Sequence, residues 1–212
     1  MGLHLLRRFA YQPQKGMLAI RVLRTHRRIL ESLRLEPEPC DIAQLQLQYC
    51  CSQTGIDKAT VIGIITELFC KMPTIFLPGC IKPGLEDFIS AAQKRGILLG
   101  IVSDYPAIAK LKALGLDNKF AVVVSAGHPS IGRLKPHPLA LLNCLQQLQI
   151  SPSESIYVGD RHDVDAPCAL RAGVHPVVIG AKRRDATYSC VVNYAELDRL
   201  CWQAGGRHRV SA

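Results

Sequence analysis

At 212 residues, 48% hydrophobic and 20% charged, the chain is long enough for one full core and too apolar for a disordered segment. Its net charge of +9 is concentrated in residues 1–35, where eight Lys or Arg face Glu31 alone for a local net of +7, leaving about +2 for the rest. That is not the charge map of a globally basic nucleic-acid binder, and no apolar run nears the roughly 18 residues of a spanning helix.

Residues 17–35 place Met17, Ile20, Leu23 and Leu30 on one side of a predicted helix with arginines interleaved. Three readings of this basic segment stand side by side: a helical face over an anionic substrate or partner, a solvated helix, or an Arg-rich leader that is poor in Ser. Glu36-Pro37-Glu38-Pro39 ends the helix. Asp41 is placed to cap a second helix through Cys50, and Asp57 a third from Lys58 to about Lys71, with Thr54-Gly55 as the turn between them. The character of the chain changes at Pro73. A Pro- and Gly-rich connector leads to an amphipathic helix over Leu85–Arg95, ended by Gly96.

The apolar run Ile97–Val102, ending at Ser103, reads as a buried parallel strand. A helix over Pro106–Leu114, a strand over Phe120–Val124 and a helix over Pro138–Gln149 follow. Strands are then predicted at Ser155–Val158 and Val177–Ile179, an edge strand at Tyr188–Val192 and a helix from Tyr194 to about Gln203. This alternation defines an α/β fold: a Rossmann-like parallel sheet (residues 73–204), a helical cap region (1–72) and a loose tail (205–212). The nine cysteines form no CxxC pair, and only Cys50 and Cys51 are adjacent. They read as reduced thiols of a cytoplasmic protein rather than a disulfide framework or a zinc site.

The stretch from Ile156 to Gly173, IYVGDRHDVDAPCALRAG, is the most informative in the chain. A strand delivers Asp160, Asp163 and Asp165 to its C-terminal edge, where open α/β sheets place their ligands. Three acids within six positions repel unless a cation or basic groups neutralise them. Oxygen donors at this density suit Mg²⁺, completed by substrate phosphate and water. The competing reading is a solvated acidic loop that caps the helix following it. Ser103 follows its own strand, and Lys135, in RLKPHP, lies beyond the strand Phe120–Val124. Alone, Ser103 reads equally as a helix cap and Lys135 as a surface lysine. Together they supply what phosphoryl transfer needs: a hydroxyl donor, a cation and metal-binding carboxylates on one sheet edge.

These residues make the chain resemble the haloacid dehalogenase superfamily over about residues 73–192. Ser103 resembles that family's second motif, Lys135 its third, and Gly159-Asp160 with Asp165 its fourth, in the form GDxxxxD. The resemblance implies phosphate binding by Ser103 and Lys135, Lys135 as a catalytic residue, and Mg²⁺ on Asp160 and Asp165. The segment before Pro73 resembles the family's cap.

The family's first motif, a DxD closing the first strand, has no counterpart here. No Asp precedes Asp41, and Asp163-Val164-Asp165 already belongs to the fourth motif. Without that nucleophile no aspartyl phosphate forms, and surviving members of a catalytic unit do not replace a lost one. The first core strand is missing with it, which implies that the chain starts downstream of a longer beginning. Residues 3–10 are a poor substitute, because paired arginines suit a helix better.

The leading expectation is therefore a Mg²⁺-dependent phosphomonoester phosphatase, a hydrolase of a small phosphorylated metabolite, that is inactive as this chain. The second is a non-catalytic relative that binds phosphate or a partner. The third is a basic module whose N-terminal helix docks on nucleic acid or an anionic membrane.

Overall fold

The computed structural model describes residues 13–36, 38–180 and 186–202. The possible substitute strand at 3–10, the tail at 205–212 and the end of the last helix at Gln203 lie outside the described residues. Helix α1 spans Pro13–Leu33, opening on a proline whose missing N–H costs nothing in a first turn. Its buried residues Val22, Ile29, Leu30 and Leu33 recur at helical spacing and turn one face inward. Helix α2 (Ile42–Thr54) starts where Asp41 accepts the Gln44 N–H, and closes on Gly55 in the left-handed region. Helix α3 (Lys58–Ile65) starts in the same way, with Asp57 accepting the Thr60 N–H.

Beyond α3 the structure departs from expectation. The chain widens into a π-helical run at Thr66–Lys71 and continues as α4 (Met72–Phe76), straight through Pro73. The Met72 N–H reaches back to the Glu67 carbonyl, so the wide turn places Pro73 in the first turn of the next helical segment, where proline is tolerated. The whole run, Lys58–Phe76, is thereby long and apolar enough to cross a membrane by length and composition alone, which corrects the reading that no such segment exists. Charged residues split the run in the sequence, and its continuity arises from the π turn. Here Val61 is fully buried, Ile64 and Ile65 pack against the largest core cluster, and the Phe69 ring lies tilted between His26 and Tyr105.

Helix α5 (Leu85–Lys94) leads to β1 (Gly100–Ser103), then α6 (Ile108–Ala113), β2 (Val122–Ser125) and α7 (Leu139–Leu148). Strand β3 (Ile156–Gly159), α8 (Asp165–Arg171), β4 (His175–Ile179), β5 (Ser189–Val191) and α9 (Tyr194–Trp202) complete the order. Strand β1 begins three residues later than its apolar run suggests. Gly96 is left-handed, and the Ile97 N–H is spent on the Ala92 carbonyl in closing α5.

All strand pairs are parallel. Gly100 lies opposite Val122 and Ser103 opposite Ser125, while β3, β4 and β5 run in sequence order with Gly159 opposite Val178 and Ile179 opposite Val191. Strand β5 is the edge strand, as expected. Among the described residues no strand joins β1 to β3, so the layer consists of a pair and a triplet. Helices tie the two together. On one side Val102 of β1 and Tyr157 of β3 pack on the same cluster from α7 and α8; elsewhere Phe88 of α5 stacks on Trp202 of α9 at 5.9 Å.

The cap and the α/β layer share one core. Val22, Ile29, Leu30 and Leu33 of α1, Ile42 and Cys50 of α2 and Val61 of α3 cluster with Val124, Ile131, Leu134, Ala140 and Cys144. Each fully buried Val, Leu or Ile contributes about 1.5–3 kcal/mol, so this joint is a main source of stability. Gly132 marks its tightest point. Its φ is +61°, and a Cβ there would lie 2.7 Å from the Cys40 carbonyl oxygen. The Gly132 carbonyl in turn accepts the Cys40 N–H at 3.1 Å.

Candidate functional site

Three loops meet at the C-terminal ends of β1, β2 and β3. At the end of β3, Asp165 enters as the first residue of α8 and is buried. Its Oδ2 accepts the backbone N–H groups of Asp160 at 3.1 Å and Arg161 at 2.9 Å. Its Oδ1 accepts the Lys135 ammonium at 2.7 Å and the Tyr157 hydroxyl at 3.2 Å. Strand alternation explains two of these neighbours, because Tyr157 and Gly159 lie on the same face of β3. A side chain at 159 would collide with the Asp165 carboxyl, so the motif needs glycine there. Burial, then the Asp165 charge, pushes the Tyr157 phenol far above its usual range, which keeps it a neutral donor.

A carboxylate offers about four acceptor positions, and all four of Asp165 are in use. The Lys135–Asp165 pair is itself enclosed, with side chains 12% and 6% exposed. Asp163 is spoken for as well, paired with Arg161 at 2.7 Å on the surface. Basic groups thus neutralise two of the three acids. Asp160 is exposed, and its charge helps burial raise the Tyr194 phenol. Among the described residues no group of three or more His, Cys, Asp or Glu is placed to hold a metal ion. Of the two carboxylates expected from the sequence as metal ligands, Asp160 is open to solvent, while the oxygens of Asp165 accept four protein donors.

Ser103 closes β1 and is half-buried, its Oγ accepting the Tyr105 N–H at 3.2 Å. That bond uses a lone pair and leaves the hydroxyl hydrogen to donate. The next residue, Asp104, links this strand to Lys135: its Oδ1 accepts the Lys135 N–H at 3.1 Å. Its Oδ2 takes Arg34 Nη1 at 2.7 Å, and the same nitrogen donates to the Lys135 carbonyl at 2.7 Å. Of the four residues expected from the sequence, Lys135 and Asp165 meet through their side chains, Asp160 reaches Asp165 through its backbone N–H, and Ser103 is linked to Lys135 only through its neighbour Asp104.

Arg34 comes from the turn that ends α1, so the basic segment does reach this edge. Its Nε binds Glu31 at 2.8 Å, and Glu31 also takes Arg161 Nη1 at 3.0 Å. Hydrogen bonds from Arg34 and then Arg161 outweigh burial and hold the Glu31 carboxyl down at about 2. Burial disfavours the Arg34 charge, yet its bonds to Glu31 and Asp104 prevail and raise its pKa. The Glu31–Arg161 contact is half-exposed and adds little, about 0–1 kcal/mol. The Arg34–Asp104 pair is enclosed, each side chain 8% exposed.

Sequence reasoning did not find Tyr157, Asp104, Arg34 or Glu31. Strand alternation could have pointed to Tyr157, and adjacency to Ser103 could have pointed to Asp104. Nothing local distinguishes Arg34 from the arginines of the preceding α1. The nine cysteines are free thiols. Burial pushes Cys144 up to about 11 and, with the Asp165 charge adding to it, Cys168 to about 12, which keeps both as thiols.

A parallel α/β layer under an N-terminal helical cap, with a lysine, a serine and acidic loops at the strands' C-terminal ends, defines a capped α/β protein whose candidate site lies at that edge. The family model "haloacid dehalogenase-like hydrolase" matches residues 50–173, and the chain belongs to this family. A phosphoglycolate phosphatase of Xylella fastidiosa is 31% identical over 129 residues, covering 58% of this chain and 54% of its own length. The chain thus spans about half the length of that curated relative.

Among solved structures, a β-phosphoglucomutase from Clostridium difficile superposes with a TM-score of 0.61 at 17% identity, covering 88% of this chain and 89% of its own. A 2-haloacid dehalogenase from Pseudomonas syringae does so with a TM-score of 0.60 at 19% identity, covering 94% and 88%. At such identities the likeness is one of fold, and the two differ in chemistry, so the reaction has to be argued from the site.

Proposed function

We propose that this chain carries the phosphate-binding half of a haloacid-dehalogenase-type phosphatase site and does not itself turn over substrate. The supporting observation is the enclosed Lys135–Asp165 pair beyond the C-terminal ends of β2 and β3, one bond removed from the Ser103 turn at the end of β1. In this reading the Lys135 ammonium offsets phosphate charge and the Ser103 hydroxyl donates to a phosphoryl oxygen. Asp165 and Tyr157 take two of the ammonium's three donors and hold it in place, which leaves the third for phosphate. The substrate is a small phosphomonoester, and phosphoglycolate is the first to try, given the name of the Xylella relative.

The carboxylates support the reading that the chain does not turn over substrate. Nucleophilic catalysis needs a free carboxylate oxygen aligned with the phosphorus. Both oxygens of Asp104 and of Asp165 are occupied by donors, and the one DxD of the sequence, Asp163-Val164-Asp165, has its first member paired with Arg161. Mg²⁺, when bound, would polarise the phosphoryl oxygens.

Purified chain with Mg²⁺ and a phosphomonoester panel that includes 2-phosphoglycolate is expected to show no turnover. Calorimetry with inorganic phosphate should give binding that Lys135→Met abolishes and Ser103→Ala weakens. Metal-dependent turnover lost in Asp160→Asn would overturn the inactive reading, and equal phosphate affinity in wild type and Lys135→Met would overturn the site.

Magnesium should bind weakly, with a single side-chain ligand. Asp160→Asn is expected to remove Mg²⁺ binding in calorimetry, while Asp163→Asn leaves it unchanged. Equal affinities for wild type and Asp160→Asn would exclude this loop as the metal's seat.

A further inference from the structure

The residue that carries the candidate phosphate-binding ammonium is gripped at three points. Its side chain is held by Asp165 and Tyr157, its N–H by Asp104 Oδ1 and its carbonyl by Arg34 Nη1. The last two grips are one unit, because Arg34 Nη1 also binds Asp104 Oδ2. Arg34 belongs to the cap side of the molecule; Asp104 and Lys135 belong to the α/β layer, 70 and 101 residues away in sequence.

We infer that Arg34 is a positioning residue for phosphate binding: with Asp104 it fixes the Lys135 backbone, so that the cap determines where the ammonium points. The inference rests on the reading of Lys135 as the phosphate ligand. Two observations and one general principle carry it. First, Arg34 and Asp104 are each enclosed, so water does not compete for these bonds. Second, the guanidinium uses four of its five donors: Nη1 spans the carboxylate and the Lys135 carbonyl, while Nε and Nη2 are braced by Glu31 at 2.8 and 3.2 Å. A lysine at this place keeps the charge and loses the planar fork. Third, a one-atom displacement of a binding cation weakens an anion site even when the fold survives, because orientation is part of the binding free energy.

A simpler role, in which the pair merely fastens the cap, predicts lost stability with phosphate affinity kept in whatever protein remains folded. The experiment therefore uses the full chain and two readouts. Inorganic phosphate is titrated into wild type, Arg34→Lys, Asp104→Asn, the double variant and Lys135→Met, at a temperature where each is folded by circular dichroism. In parallel, ¹H–¹⁵N spectra follow the Lys135 amide against those of Asp160 and Arg161, which are bound by Asp165 instead.

The expected result is a loss of phosphate affinity of about tenfold or more in Arg34→Lys and in Asp104→Asn. The double variant should be no weaker than either single one, since the two act as a unit. The Lys135 amide should move upfield while those of Asp160 and Arg161 stay. Wild-type affinity and an unmoved Lys135 amide in Arg34→Lys, with binding still dependent on Lys135, would overturn the positioning role alone. Equal affinity in wild type and Lys135→Met would overturn the phosphate site and this inference with it.

Discussion

Asp165→Ala is expected to destabilise the fold by about 3–5 kcal/mol, the cost of breaking a buried ion pair by removing one partner. The Lys135 ammonium would stay enclosed with Tyr157 as its neighbour, and the N–H groups of Asp160 and Arg161 would lose their acceptor. A domain has only about 5–15 kcal/mol to lose, so the variant should unfold at a much lower urea midpoint or fail to fold. Asp163→Ala is the matched control one turn of chain away. Its pair with Arg161 is exposed on both sides, and its loss should cost about 0–1 kcal/mol. Urea melts of the three proteins decide the matter: if both variants shift the midpoint alike, the satisfied-carboxylate account of Asp165 is wrong.

Acid should unfold the cap–core joint through His26. Burial lowers the pKa of this ring from 6.5 to about 4. Its Nδ1 lies 3.1 Å from the Gln46 side-chain nitrogen, which also donates to the His26 carbonyl at 2.7 Å. That nitrogen is a donor, so Nδ1 accepts and the neutral ring carries its proton on Nε2. The folded pKa lies below the unfolded one, so between about pH 6.5 and 4 the unfolded chain binds more protons and stability falls as pH falls. A shift of this size corresponds to about 3 kcal/mol, fully lost near pH 4 and fully present above pH 6.5. The ring packs on Phe69 at 5.1 Å, so protonation would act where α1 meets the π-helical run. Carboxylates titrate over part of the same window, and the comparison with His26→Gln isolates the histidine. The wild type should lose about 3 kcal/mol more than His26→Gln on going from pH 7 to pH 4. Parallel pH profiles would rule His26 out.

The shared core between cap and α/β layer bears on both experiments. Leu33 of α1 and Leu134 beside Lys135 belong to one apolar cluster, so a change at the Lys135 loop is transmitted to the end of α1 through packed side chains as well as through Arg34. Effects at Arg34, Asp104 and Lys135 are therefore expected to be non-additive, while Asp160, exposed at the rim, should behave independently.

The sequence by itself determined whatever depends on neighbours a few residues apart. The alternation of strands and helices, the caps at Asp41 and Asp57, the helix closures at Gly55 and Gly96, and the glycine–aspartate turn after β3 are all local, set by backbone sterics and short-range hydrogen bonds. The placement of Ser103, Lys135, Asp160 and Asp165 at or beyond the C-terminal ends of their strands was legible too, because parallel strands deliver those ends to one edge. Local signals misplaced the elements where the backbone had a second option: the π turn that carries the helix through Pro73, and the closure of α5 that takes Ile97 from β1. Only the tertiary structure decided how the site is wired. That Asp165 spends all its acceptor positions inside the protein while Asp160 stays open, that Arg34 rather than an arginine of α1 grips the Lys135 loop, and that cap and layer share one core depend on partners up to 101 residues apart. Such pairings are chosen by the packing of whole elements against one another, and residue type and spacing carry no mark of which pairs will form.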